Sequence, residues 1–389
     1  MATKWYFIEA NDVLMFRDSR RFSAGQNFTA RSMFPPNPRT IYGMLRTHLI
    51  EVLGNGDFAA FKDGRLGDLH RVLGTPDQAG TLRLHGVYLA NRDNQQANFF
   101  VRPPLDLLRE KRKKDDTQSK PPNPCPEPKK DDELPKLHLA KPKTDESFVT
   151  DEPFTGWQPL IADAQEEVEQ VEGWLDEANF NKYLKRETDL KPTKDSCLYE
   201  REMHTGLGMD HSVRRGKDSL FYQAEFIRLR ENVGLLIGIS GDDGKMPHSG
   251  MINIGGERRT AFYQAVEVKT EPTRVSATSG RVKIVLLTPA YFSGGWQPQS
   301  NEQPRSNDWS PWVGAGKLVS LAIGKPQIIS GWDLVKKSAR PVRHFLPAGS
   351  VFYFENAAIP SGVQTFTETP NGDLDYGAMG FGAFAATNW

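Results

Sequence analysis

Cysteine is nearly missing: the 389 residues hold two, Cys125 and Cys197, far apart, the first inside a proline-rich tract. That spacing supplies neither a disulfide framework nor a CxxC metal clip, and structural zinc is not expected. Long apolar runs are missing too. No stretch approaches the roughly 18 uninterrupted apolar residues of a membrane span, and the opening MATKWYFIEANDVLMF lacks an Ala-x-Ala cleavage pattern. The chain reads as a globular, cytoplasmic protein with no membrane partner. Catalytic signatures are equally scarce, with no Walker lysine, HExxH, GxSxG or paired Cys/His cluster. The tail runs G-x-x-G-x-G, the reverse of the dinucleotide fingerprint, and too few residues follow it to build a pyrophosphate-holding helix. No cofactor and no metal is expected.

Net charge is zero, with 49 Lys and Arg against 49 Asp and Glu, but the balance is the sum of two opposed blocks. From Arg17 to Arg46 stand six arginines and one acid, Asp18, whereas residues 145–180 hold eleven acids and no Lys or Arg. Such separation argues against indiscriminate coating of nucleic acid and for a local anion site with surfaces for protein partners. An all-arginine block also matters, because planar guanidinium grips phosphate bidentately and stacks on bases. A merely solvated surface is the plainer reading.

The length allows two or three domains. Residues 4–9, KWYFIE, have strand composition, and VLMF follows at 13–16. In FPPNPRTIYGMLRTHLIEVLG, Pro35 and Pro36 bar an earlier helix, Asn37 suits the N-cap, Pro38 the first helical position and Gly54 the stop. Ile41, Leu45, His48, Leu49 and Val52 make one stripe. Arg39, Gly43 and Arg46 make the opposite face, either exposed with an incidental glycine or open to the close approach of another backbone. TLRLHGVYLA and ANFFVR supply further strands. The polar, proline-dense tract at 111–147 cannot bury enough surface to offset its ordering entropy, so disorder is expected there. Residues 159–186 read as an acidic amphipathic helix on the stripe Ile161, Ala164, Val168, Val171, Leu175 and Ala178, its outer acids either solvated or docking a basic partner. LFYQAEFIRL and VGLLIGISG read as a hairpin, and GMINIGGERRTAFYQAVEV as two strands around a Gly-Gly turn with Arg258 and Arg259. A composition change at 270–280 divides an amino-terminal domain, 1–272, from a carboxyl-terminal one, 273–389, in an α+β architecture.

Two stretches are unusual. His48 and His85 sit in element patterns and read as core, but EREMHTGLGMDHSVRRGKDSLFY places His204 and His211 in a polar loop with three glycines, Arg214 and Arg215, and with Met203 and Met209 as soft wedges. Such a loop suits unstacked single-stranded RNA bases, or is an ordinary mobile surface loop. A loop histidine is also a candidate general base for RNA cleavage. The other stretch, DYGAMGFGAF, sets Gly377, Gly380 and Gly382 among Tyr376, Met379, Phe381 and Phe384. Glycine costs order on folding, so its use here requires a backbone that something approaches closely.

Taken in order, DVLMFRDSRRFSAG with FPPNPRTIYGMLRTHL, then GGERR, PAGSVFYFE and the terminal YGAMGFGAF resemble the RAMP-superfamily subunit that caps the crRNA 5′ end in the type III-B (Cmr) CRISPR effector complex. The similarity covers most of the chain outside 111–147. It implies two ferredoxin-like (RRM-like) domains, no catalytic centre, recognition of the crRNA 5′ tag, and contact with the large polymerase-like Cmr subunit and a Cmr backbone subunit. It also implies that a glycine-rich loop at Gly377, Gly380 and Gly382 crosses the face between the domains, and that a thumb-like loop at 203–217 separates tag from guide. The expected RNA contacts are then Arg17, Arg20, Arg39 and Arg46 on phosphates, with Arg258 and Arg259 extending the basic surface. His204, His211, Arg214 and Arg215 meet splayed bases, and Gly377, Gly380 and Gly382 form a nest of bare amides braced by Phe381. A metal-independent crRNA-processing endoribonuclease with His204 or His211 as base is the alternative, and a pure protein adaptor a third reading.

Overall fold

The first strand, Lys4–Ala10, turns Trp5 and Phe7 to one face and Tyr6 and Ile8 to the other, and all four are buried. A strand apolar on both sides belongs at the centre of a sheet covered on both faces. In the computed structural model it occupies that place. Described are residues 2–18, 29–111, 136–143, 157–210, 215–277, 279–298, 308–333 and 335–389, with backbone only for 207–210 and 215–221.

The amino-terminal sheet runs, edge to edge, Leu175–Asp176, Gln96–Val101, Arg83–Asp93, Val233–Ser240, Lys4–Ala10, Thr260–Val268 and Ser249–Asn253. A short parallel pairing of Glu267 with Gln96 and Val268 with Ala97 curls it back on itself. On one face lies the helix Pro38–Leu53. Its start follows local chemistry: Asn37 accepts the Thr40 amide at 3.1 Å, Pro38 takes the first position, and the Gly54 amide closes on the Ile50 carbonyl at 2.9 Å. The buried stripe is wider than periodicity predicts, adding Tyr42, Met44 and Ile50, because Phe61, Leu69, Val72 and Leu73 pack on the helix from a second side; Val52 is exposed instead.

The carboxyl-terminal sheet runs Arg274–Val275, Phe384–Asn388, Gly280–Leu286, Val351–Ala357 and Lys317–Ala322. Its inner face, with Val285, Val351 and Tyr353, packs on Trp5, Phe7, Tyr88 and Leu236 of the first sheet, while Val282, Ile284, Phe352 and Phe354 pack outward on Trp309 and Phe366. The two-residue period also turns Lys283 inward. Its ammonium meets Asp106 at 3.5 Å and the Tyr183 hydroxyl at 3.0 Å, and Tyr183 and Tyr353 donate to the same carboxylate at 2.7 and 2.6 Å. Burial pushes the Lys283 pKa down, and Asp106 opposes that shift. This network ties the halves together, since Asp106 and Tyr183 come from one and Lys283 and Tyr353 from the other.

Several expectations are corrected. No helix spans 159–186: short strands at Leu160–Ile161, Val168–Gln170 and Leu175–Asp176 precede a helix at Glu177–Leu184 only. The acids of the supposed outer face pair with neighbours far along the chain, Glu169 with Arg109 at 2.8 Å and Glu167 with Lys111. Strands 215–229 and 233–240 form no hairpin, since Arg215–Leu229 pairs with Tyr199–Asp210 and Val233–Ser240 joins the first sheet. Within the tract expected to be disordered, 112–135 and 144–147 lie outside the described residues, but Leu137–Leu139 forms a strand with Leu137 and His138 buried.

Candidate nucleic-acid interface

The expected residues collect in two places. The first is the junction of the two sheets, crossed by segment 375–384. The Arg39 guanidinium lies 5.2 Å over the ring of buried Tyr376, whose hydroxyl donates to Asp373 at 2.8 Å. Burial raises that hydroxyl to about 12. The arginine-rich helix and the glycine-rich tail therefore meet.

The tail does not present a nest of bare amides. Gly380, at φ +88°, would bring a Cβ to 3.0 Å from the Gly86 nitrogen and the Leu84 carbonyl oxygen, and Gly382, at φ +67°, to 2.7 Å from the Phe366 carbonyl oxygen. Their amides are engaged internally, Gly380 donating to the Gly377 carbonyl at 3.0 Å and Gly382 to that of Pro289 at 2.8 Å. Phe381 is fully buried, stacked 4.7 Å from Phe345. The close approach that the glycines permit is made by the protein's own strand, so Gly380, Phe381 and Gly382 build the junction from within. Gly377, which is half-buried, and Gly380 both stand on the wall of a cleft of about 300 Å³, with Arg83, His85, Thr365, Trp312 and Asp375. His85 bonds Ser240 Oγ at 2.8 Å, and burial, aided by Arg83, lowers its pKa and favours the neutral ring.

Arg46 does not stand free for phosphate. It donates to the Thr75 carbonyl, lies 4.7 Å over the Phe61 ring, and has its pKa lowered by burial. Gly43 is exposed, with open space where a Cβ would stand.

The second place is the long hairpin of Tyr199–Asp210 and Arg215–Leu229, so the expected thumb is a β-ribbon. At its base, His204 lies 4.5 Å from the Phe226 ring and Arg259 lies 4.8 Å over the same ring. His204 Nε2 is 3.1 Å from Glu202, which accepts from Arg228, while Asp12 receives Arg228 at 3.1 Å and Arg259 at 3.3 Å. Arg258 is exposed in the left-handed turn at φ +52°, and Arg17 is exposed where its backbone bridges Ser32. Further out, Tyr222 lies over its cross-strand partner Gly206, and Tyr222 and Met203 are exposed. Arg20, His211 and Arg214 lie outside the described residues, and Arg215 is described by its backbone alone. The meeting of Arg83, Thr365 and Asp375 on one cleft has no local signal in the sequence, because it depends on the tail segment packing against the distant strand through the Leu84 amide and the Ala378 carbonyl.

These features define a class: a sheet-rich α+β chain whose halves are locked around a polar junction, with a long ribbon beside it. The model of the family described as CRISPR-associated protein (Cas_Cmr3) matches residues 6–389, and the chain belongs to that family. It is a Cmr3-like subunit of a type III-B CRISPR effector. Solved structures with a similar chain include the type III-B Cmr-beta bound to cognate target RNA and AMPPnP, at 17% identity and TM-score 0.49, covering 90% of this chain and 86% of that one. The chain of a Csm1–Csm4 cassette in complex with pppApA matches at 11% identity and TM-score 0.29, covering 92% and 100%. No curated protein matches. Among the described residues no helix is long and apolar enough to cross a membrane, and no group of three or more His, Cys, Asp or Glu is placed to hold a metal ion.

Proposed function

We propose that this subunit is a non-catalytic scaffold that holds the 5′ tag of the crRNA at the junction cleft and bridges the large polymerase-like subunit to the backbone subunits. The observation that carries this reading is Arg39 over Tyr376, because it brings the arginine block to the same chain segment whose neighbouring residues Gly377 and Asp375 line the cleft. Arg39 and Arg83 hold phosphate, Gly377 allows backbone approach, and the ribbon's Tyr222, Met203 and His204 offer flat or soft surfaces to bases leaving the cleft. Two degenerate ferredoxin-like halves fit the carboxyl-terminal strand order, in which Gly280–Leu286 lies between Phe384–Asn388 and Val351–Ala357 and Lys317–Ala322 follows. The cell interior is where such a complex meets its RNA.

The test is binding of tag RNA across a salt series. Arg39→Ala combined with Arg83→Ala is expected to weaken binding at low salt and to flatten the salt slope by roughly 0.7 for each phosphate that is no longer neutralised. An unchanged slope and affinity refute the cleft. Incubation with repeat RNA in EDTA is expected to leave the RNA intact. Cleavage that disappears in His204→Ala would instead make the His204–Glu202 pair a general base and its partner.

A further inference from the structure

Residues 327–345 form an antiparallel ribbon in two parts. Gln327–Ile329 pairs with Arg343–Phe345, setting Ile328 opposite His344, and Trp332–Asp333 pairs with Ser338–Ala339. The pleat sorts the side chains. Ile329 and Phe345 enter the core beneath the helix Pro38–Leu53, Arg343 reaches Asp373 at 3.6 Å, and Arg340 reaches buried Asp333 at 2.9 Å. The other face looks outward, with Trp332 61% exposed, Val342 56%, Ile328 50% and Val335 38%. Isolated exposed apolar residues are ordinary, but a contiguous group on one short ribbon marks an interaction surface.

We infer that this ribbon is a docking surface for another protein subunit of the effector complex, one presenting an apolar patch edged by carboxylates. The inference rests on the subunit reading above and extends it to a place on the surface. Charge and shape decide between protein and RNA. The ribbon's inner cations Arg340 and Arg343 are held by the aspartates named above, and the exposed Lys336 pairs with Asp77 at 3.0 Å. Three of the four exposed apolar side chains are β-branched aliphatics with no flat face for a base. Lys325 and Lys337 stand exposed at the rim, which suits acidic edges on the partner, while Trp332 has the size and amphipathic character of an interface anchor.

The experiment uses the full chain co-expressed with the remaining effector subunits and guide RNA, carrying Trp332→Ser together with Val342→Glu. The isolated variant is expected to keep the melting temperature and tag-RNA affinity of the unaltered chain, while its retention in the assembled complex falls about tenfold or more, the scale of removing one aromatic anchor. Full retention overturns the docking surface. So does full assembly with diminished tag affinity, which assigns the ribbon to RNA. Should the double variant fail to fold, Lys325→Glu with Lys337→Glu decides the question: weaker assembly at low salt supports the surface, and unaltered assembly refutes it. An unaltered chain that assembles but binds no tag RNA removes the reading of a tag-holding cleft and leaves the docking surface standing.

Discussion

The carboxyl-terminal segment 375–384 and the ribbon 199–229 use the same residue types, glycine beside aromatic and methionine, to opposite ends. In the segment, glycine lets the protein's own strand come close, and Tyr376, Met379 and Phe381 sink into the core. In the ribbon, Gly206 makes room for the exposed ring of Tyr222. What separates them is the neighbour that fills the space. Leu84 and Gly86, from a distant strand, already occupy the side-chain-free path of the segment, whereas Met203 and Tyr222 of the ribbon face solvent. Composition alone therefore identifies a place of close approach and leaves open who approaches.

The comparison is tested most severely at the lock that holds the segment's surroundings together. Asp106→Ala removes the acceptor shared by Tyr183, Tyr353 and Lys283, all buried. Stranding a buried ammonium costs about 3–5 kcal/mol, and the variant should unfold at markedly lower denaturant concentration in an equilibrium titration. Stability close to that of the unaltered protein would show that the junction is wet and open, much like the ribbon. Gly380→Ala comes next. Its left-handed φ and the 3.0 Å approach to backbone atoms of Leu84 and Gly86, which cannot rotate aside as the Leu84 side chain can, strain an added methyl, so a loss of roughly 1–3 kcal/mol is expected. Tag affinity should fall only as far as the folded fraction falls. If affinity dropped with stability intact, Gly380 itself would be touching RNA as Gly377 is proposed to, and the contrast with the ribbon would dissolve.

Local chemistry was legible and distant pairing was not. The helix Pro38–Leu53 could be read because Asn37, Pro38 and Gly54 act within a few residues of themselves. The strands around Arg258 and Arg259 could be read for the same reason, from a Gly-Gly turn. The supposed helix at 159–186 failed because Val168, Val171 and Leu175 satisfy a helical stripe in isolation, while the partners that draw Val168–Gln170 into a strand stand at Leu108–Glu110. The strand 220–229 was joined to the wrong partner because adjacency in sequence favoured Val233–Ser240, and the true partner, Tyr199–Asp210, had been read as loop. At the candidate site, the sequence signalled the need for a bare backbone near the terminus. It carried no sign that Arg83 and Asp375 would share the cleft, since nothing local connects them.

The smallest expected effect lies on the ribbon. The Arg228 hydrogen bond, with a lesser one from His204, holds the Glu202 carboxyl below its ordinary value of 4.5. A depressed folded pKa gives a contribution that is complete above the unfolded value and drains away as pH falls through the folded one. Below about pH 4.5 the ribbon base should therefore loosen. Glu202 and Arg228 are both substantially solvent-exposed, so the change is modest and screened by salt. Amide hydrogen exchange, corrected for its intrinsic pH dependence, is expected to quicken at residues 200–206 and 223–228 while the Leu84 and Gly382 amides stay slow. Arg228→Ala should produce the same pattern at neutral pH. Equal acceleration at both places would mean that ribbon and junction open as one unit, and the division between a sealed joint and an exposed arm would have no physical basis.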